Sequence, residues 1–238
     1  MRILDLFCCA GGAGKGYADA GFDVYGVDLD AQPNYPFPFV QADAITVLSQ
    51  LLRGSGIAWG DEVLSLEDFD AIHASPPCQR YSPMTRRHGD ARVDLWPDLI
   101  RPVRQLLEAI GLPYVIENVV GAAKELRDPV MLCGDMFQLG TEYQGRWHGL
   151  RRHRLFETNW SLAVPEHHRH EGPTVGVYGN PGGTSKRDGL SFPQLANWRE
   201  AMEIDWTSKR ELAESIPPAY TRHIGAQLAA EISKEEAA

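Results

Sequence analysis

The chain reads as an α/β protein built on a parallel sheet, and three stretches predict it. Arg2 to Phe7 is an apolar strand that runs directly into Cys8-Cys9-Ala10-Gly11-Gly12-Ala13-Gly14-Lys15-Gly16-Tyr17, a small-residue turn that opens a helix through Ala20. Phe22 to Val27 is a second strand, and it ends in Asp28-Leu29-Asp30, a pair of carboxylates about 20 residues past the glycine turn, where an acid can accept hydrogen bonds from ribose hydroxyls. Phe69 to His73 is another buried run, and it leads into Ala74-Ser75-Pro76-Pro77-Cys78-Gln79-Arg80-Tyr81-Ser82. Two prolines fix φ near about −65° and exclude helix, so Cys78 is held in a rigid extended loop at the carboxyl edge of the sheet.

The bulk numbers set bounds on this reading. With 238 residues, 43% of them hydrophobic, the chain can bury one sizeable core, as one domain or one domain with a small appendage. A formal net charge of −9 argues against a wholly basic nucleic-acid binder, so any nucleic-acid contact must come from local basic clusters. The four cysteines form no Cys-x-x-Cys pair and no zinc-like spacing with histidine, which predicts reduced thiols in the cytoplasm. No stretch reaches the roughly 18 apolar residues of a membrane span, and neither secretion nor insertion is expected.

The remaining elements follow in order. Pro33, Pro36 and Pro38 leave no room for a helix, so an extended connection leads to a short strand at Phe39-Val40-Gln41. Asp43 can contact a ligand or cap a helix over Ile45 to Leu52. Gly54 to Asp68 reads as a linker. After the Cys78 loop, Arg80, Arg86, Arg87, His88 and Arg92 form a basic patch able to hold phosphates. Apolar spacing predicts a helix from Leu95 to Ile110, stopped by Gly111. Tyr114-Val115-Ile116 is a buried strand running into Glu117-Asn118-Val119, and Val130 to Leu139 is a turn around Asp135 leading to a sheet-edge strand, with Cys133 structural. Arg146, Arg151, Arg152 and Arg154 precede a strand at Leu155 to Thr158. From Asn159 to Phe192 the chain is rich in Gly, Pro and His, ends on basic Lys186-Arg187, and carries one strand within Val175 to Tyr178. The spacing of His167, His168 and His170 lacks a second ligand pair, so no metal is expected. Helices follow at Gln194 to Met202, from Ser208 through Ser215, and from Thr221 to Ile232, with a fraying tail from Lys234.

Pro76-Pro77-Cys78-Gln79 and Glu117-Asn118-Val119 together resemble the two catalytic signatures of the cytosine-5 DNA methyltransferases. Asp5-Leu6-Phe7 with Gly11-Gly12 resembles the first S-adenosylmethionine motif of that family, with Cys9 in place of a glycine. Arg152 and Arg154 match a further motif, with Leu150 where the family has glutamine. Ile216-Pro217-Pro218-Ala219 resembles the last motif, with Glu214-Ser215 in place of Gly-Asn, and Arg80 stands where a small residue is usual.

The resemblance implies a doubly wound, Rossmann-like class I methyltransferase sheet with a small loop-rich recognition insert. Residues 1–158 would be the catalytic domain binding S-adenosylmethionine, 159–192 the target-recognition insert, and 193–238 the helices returning to the catalytic domain. The cofactor would be held by Phe7, Gly11, Gly12, Asp28 on the ribose, Leu29 on the adenine face, Asp43 on the adenine amino group, Pro76 and Ser215. Cys78 would be the nucleophile and Glu117 the group on the base nitrogen N3. Asn118 would position that acid, and Arg152 and Arg154 would bind the base oxygen or a phosphate. A nearby arginine and the cationic sulfonium of the cofactor would lower the pKa of Cys78. Arg80, Ser82, Arg86, Arg87, Arg151, Lys186 and Arg187 would contact double-stranded DNA, with the target base extruded. The protein would act as a monomer in the cytoplasm, as an orphan or beside a cognate restriction endonuclease. The alternatives are the branch of the family that modifies tRNA and an inactive, cofactor-sensing DNA-binding module.

Overall fold

A computed structural model describes residues 1–82, 96–178, 190–191 and 193–236. In chain order the elements are β1 (Arg2–Leu6), α1 (Gly12–Asp19), β2 (Asp23–Asp28), β3 (Phe39–Gln41), α2 (Ala44–Leu52), β4 (Ile57–Trp59), β5 (Glu62–Leu64) and β6 (Ala71–Ala74). Then come α3 (Ile100–Ile110), β7 (Tyr114–Val119), β8 (Val130–Leu132), β9 (Gly140–Tyr143), β10 (Arg146–Gly149), β11 (Arg154–Thr158), β12 (Thr174–Val175) and β13 (Leu190–Ser191). The chain closes with α4 (Leu195–Met202), α5 (Lys209–Glu214) and α6 (Pro218–Glu236).

The main sheet runs β3-β2-β1-β6-β7-β11-β8. Its first five strands are parallel, and β11 enters antiparallel to both β7 and β8. Parallel strands covered on both faces must be apolar throughout, and their alternation here sends neighbouring residues to opposite cores. Ile3, Val24, Val115 and Phe156 pack with Tyr17 of α1 and Ile224 and Leu228 of α6, whereas Leu4, Val27, Ile72 and Ile116 pack with Leu48 of α2 and Leu107 of α3. The doubly wound architecture expected from the sequence is therefore present, with β8 as an edge strand.

Several boundaries differ from the expected ones for identifiable reasons. The connection from β2 to β3 is extended, as the prolines require, and Tyr35 and Phe37 stack edge-to-face at 5.6 Å on the sheet face a helix would have covered. The stretch read as a linker contains the β4–β5 hairpin, whose Trp59 is buried against Tyr25 and Phe69. The third helix starts at Ile100 among the described residues, and Pro97 disfavours helix in Trp96 before it; Leu95, the expected start, lies outside the described residues. The last helix begins at Pro218, where a missing N–H costs nothing, and continues to Glu236. A second sheet, β13-β12-β10-β9, joins strands from both sides of residue 158.

Candidate active site

The carboxyl ends of β1, β2, β6 and β7 place the predicted residues along one edge of the sheet. At the first of these ends, Cys9 adopts φ 45° and Gly11 φ 82°, so the cysteine takes a left-handed conformation of the kind that glycine adopts most readily. The Cys9 N–H donates to Asp28 Oδ2 at 2.9 Å, and the Asp30 N–H donates to Asp28 Oδ1 at 3.0 Å, which pins the carboxylate beside the turn. Leu29, next to it, is 67% exposed. Helix α1 opens without a side-chain cap, leaving its first N–H groups for other partners. Ser215 and Ile216 lie against this turn: a Cβ on Gly12 would meet the Ile216 carbonyl at 2.5 Å. Trp206, which sequence reasoning missed, donates its indole N–H to the Ala10 carbonyl at 2.8 Å and fastens the same segment. Asp43 caps α2, its Oδ1 accepting from the Thr46 N–H at 2.8 Å, so the capping alternative is realised.

The Cys78 loop is held from both sides. Asn118 donates its amide to the Pro76 carbonyl at 2.9 Å, which ties β7 to the loop ahead of the cysteine. The N–H groups of Tyr81 and Ser82 both donate to the Cys78 carbonyl at 3.0 Å and close the turn behind it. A Cβ on Gly121 would stand 2.1 Å from the Tyr81 carbonyl oxygen, so only glycine permits this approach. Gln79 keeps a buried amide oxygen without a hydrogen-bond partner among the described residues.

Glu117 lies within β7, which continues to Val119 instead of stopping at Ile116 because β11 pairs along it. The register sets Val119 opposite Arg154 and Phe156 opposite Glu117, so Glu117 and Arg154 are diagonal neighbours on one face. Their ion pair measures 2.9 Å from Arg154 Nε to Glu117 Oε1, and both partners are largely buried. Burial holds the Glu117 carboxyl above the usual range, opposed by Arg154, Arg152 and a hydrogen bond from Ser75. Burial likewise pushes the Cys78 thiol up, and Glu117 adds to this; Arg154 and Arg152 pull it down without prevailing. The arginines by themselves therefore do not leave Cys78 with a low pKa; the expected lowering counted the cofactor's cationic sulfonium beside them.

Arg152 differs from its expected role. It is buried and donates to three main-chain carbonyls: Ser215 at 3.0 Å, Val177 at 2.8 Å and Ala213 at 2.7 Å. Its fork is occupied in joining the C-terminal segment to β11. Arg151 is similarly engaged, donating to the Glu171 and Gly172 carbonyls at 2.9 and 2.7 Å. Arg80 donates to the Trp96 carbonyl at 3.1 Å, and Ser82 sits at the end of the Cys78 turn. Arg86, Arg87, Lys186 and Arg187 lie outside the described residues.

Sequence reasoning also missed a buried chain behind Glu117. Tyr17 Oη lies 3.0 Å from His73 Nδ1, and His73 Nε2 lies 2.8 Å from Ser75 Oγ. Burial lowers the His73 pKa to about 3, so the ring is neutral. With Tyr17 donating to Nδ1, the ring donates to Ser75, whose hydroxyl is then directed to Glu117. The position of Ser75 immediately before Pro-Pro-Cys was the only signal for it.

Residues 1–128 match the family model described as C-5 cytosine-specific DNA methylase. The type II methyltransferase M.AgeI of Thalassovita gelatinovora is 31% identical over 131 residues, covering 51% of this chain and 28% of its own. M.XorII of Xanthomonas oryzae pv. oryzae is 27% identical over 242 residues, covering 92% of this chain and 53% of its own. The chain thus spans about half or less of the length of these relatives. Among solved structures, the S. pombe Dnmt2 methyltransferase shares the fold, with a TM-score of 0.55 and 13% identity over 98% of this chain and 99% of that one. With the family model covering more than half of the sequence, this chain belongs to the C-5 cytosine-specific DNA methylase family, and its cofactor is S-adenosylmethionine.

Proposed function

We propose that the protein methylates C5 of cytosine in DNA through a covalent bond between Cys78 and C6 of an extruded base. The observation that carries this reading is the buried Glu117–Arg154 pair at 2.9 Å, placed within electrostatic reach of the Cys78 thiol. Cytosine C5 is a poor nucleophile until a thiolate adds at C6 and the resulting negative charge is met at N3. Cys78 Sγ forms the bond to C6. Glu117, whose raised pKa suits a proton donor, holds the proton at N3, and Arg154 fixes the carboxyl orientation. Once C5 has taken the methyl group, loss of the C5 proton to a base drives elimination of Cys78 as the thiolate, with the N3 proton returning to Glu117.

The residues at the glycine turn fit the cofactor. A carboxylate pinned by two N–H groups suits ribose hydroxyls, an exposed leucine beside it suits an adenine face, and the uncapped start of α1 suits a carboxylate. S-adenosylmethionine supplies the electrophilic methyl group that the activated C5 takes. Asp28, Leu29, Gly11, Gly12 and the Ser215–Ile216 segment would hold it. Asn118 and Gly121 keep the Cys78 loop in place, and Arg152 keeps the C-terminal segment over the turn. DNA is the substrate this reading favours, since the matching family model is described as a DNA methylase.

Trapping tests the covalent step. Double-stranded DNA carrying 5-fluorocytosine has no removable proton at C5, so the wild-type protein with S-adenosylmethionine should accumulate a complex that survives denaturation. Cys78→Ala should form none. A wild-type protein that methylates cytosine without any trapped complex would contradict the mechanism.

A further inference from the structure

Cys133, His153, His167 and His170 converge beside the main sheet, and we propose that they bind a structural zinc ion. One ligand atom from each lies within 4.8 Å of all the others. His153 Nε2 and His170 Nε2 are 3.1 Å apart, and Cys133 Sγ is 3.9 Å from His170 Nε2. Tetrahedral zinc with one thiolate and three imidazoles places its ligand atoms about 3.3–3.6 Å apart, so these two separations bracket the requirement. The imidazoles pack edge to face, with His167 and His170 at 75° and His153 and His170 at 70°, so the rings crowd together without stacking. His167 is the exposed member of the set.

A second shell is also present. The other nitrogen of His170, Nδ1, meets the Asp135 carboxylate, the arrangement that fixes the tautomer and raises the basicity of a zinc-bound histidine. Asp135 also faces Arg151 Nε at 3.8 Å, so the carboxylate is itself held. Binding displaces the thiol proton of Cys133, and the thiolate and Asp135 together balance the divalent charge.

The sequence argued against a metal because the histidines of residues 167–170 lack a second ligand pair at matching spacing. The fold supplies that pair from two other places: Cys133 directly after β8, and His153 in the connection leading into β11. The placement also gives the ion a purpose. Residues 159–173 contain no helix or strand, and Leu162 is their only buried side chain. A segment with so little core needs a staple, and zinc would fasten it to the sheet edge. Because His153 directly precedes Arg154, the same ion would steady the start of β11 where Arg154 meets Glu117.

Metal analysis of the full chain, expressed with zinc supplied and then desalted, tests the site. The expected result is one zinc per chain in the wild-type protein and in His168→Ala, a neighbouring histidine outside the cluster, with zinc at background in Cys133→Ser and His170→Ala. Cobalt(II) titration of the wild-type protein needs no variant to fold: it should give a near-ultraviolet thiolate-to-cobalt band with the visible bands of tetrahedral cobalt. A wild-type protein that holds no zinc and shows neither cobalt band would overturn the proposal. So would Cys133→Ser folding normally with its zinc retained.

Discussion

Asp5 is fully buried at the end of the first strand, and loss of water holds its carboxyl up to about 7, with Tyr35 donating at 3.1 Å and Asp28 adding repulsion. In the unfolded chain the same group titrates near its ordinary value. Its contribution is therefore fully present below about pH 4 and is lost as pH rises toward 7, a change on the order of 4 kcal/mol. Urea titrations at pH 5 and pH 8 should show the wild-type protein losing stability at the higher pH, and Asp5→Asn should flatten the difference. At Glu117, the hydrogen bond from Ser75 lowers a pKa that burial raises. Ser75→Ala should raise it further and move the alkaline limb of the kcat/KM profile to higher pH; an unmoved limb would separate Ser75 from the acid. The cysteine and the glutamate could be found in the sequence because two unusual local patterns carried them. The Tyr17–His73–Ser75 chain could not, since its members are joined by strand register and burial rather than spacing.

Strand β7 and the loop after β6 depend on each other through two contacts, the Asn118 amide on the Pro76 carbonyl and the bare Cα of Gly121 under Tyr81. Gly121→Ala would force a Cβ against that carbonyl, with an expected loss of about 1–3 kcal/mol in urea denaturation and a larger loss of turnover than of folded protein. On the other flank, Arg104 of α3 holds Glu157 of β11 through two bonds of 2.6 Å in a buried setting. Removing one partner strands the other charge, so Glu157→Ala should cost about 3–5 kcal/mol, measured by the same titration. Apolar periodicity made the strands and most helices legible. It did not show the β4–β5 hairpin, which is only three residues per strand, or the continuation of β7 to Val119, which depends on pairing with a strand about 35 residues later.

At the scale of the whole molecule, the glycine turn, the proline-locked cysteine and the buried acid share one sheet edge because strand order brings β1, β6 and β7 side by side. The C-terminal segment returns across the chain to close this edge through Trp206, Arg152 and Ser215. That closure was legible as a motif near Ile216, whereas its anchoring by a buried arginine was not, because an arginine beside a catalytic motif reads as a ligand to the substrate. Nucleoside mass spectrometry after incubation with S-adenosylmethionine and unmethylated, mixed-sequence double-stranded DNA tests the central claim most directly. The wild-type protein should produce 5-methylcytosine and the Cys78→Ala variant should produce none. Methylation retained in the variant, or a folded wild-type protein that binds S-adenosylmethionine and leaves cytosine in this DNA unmodified, would contradict it.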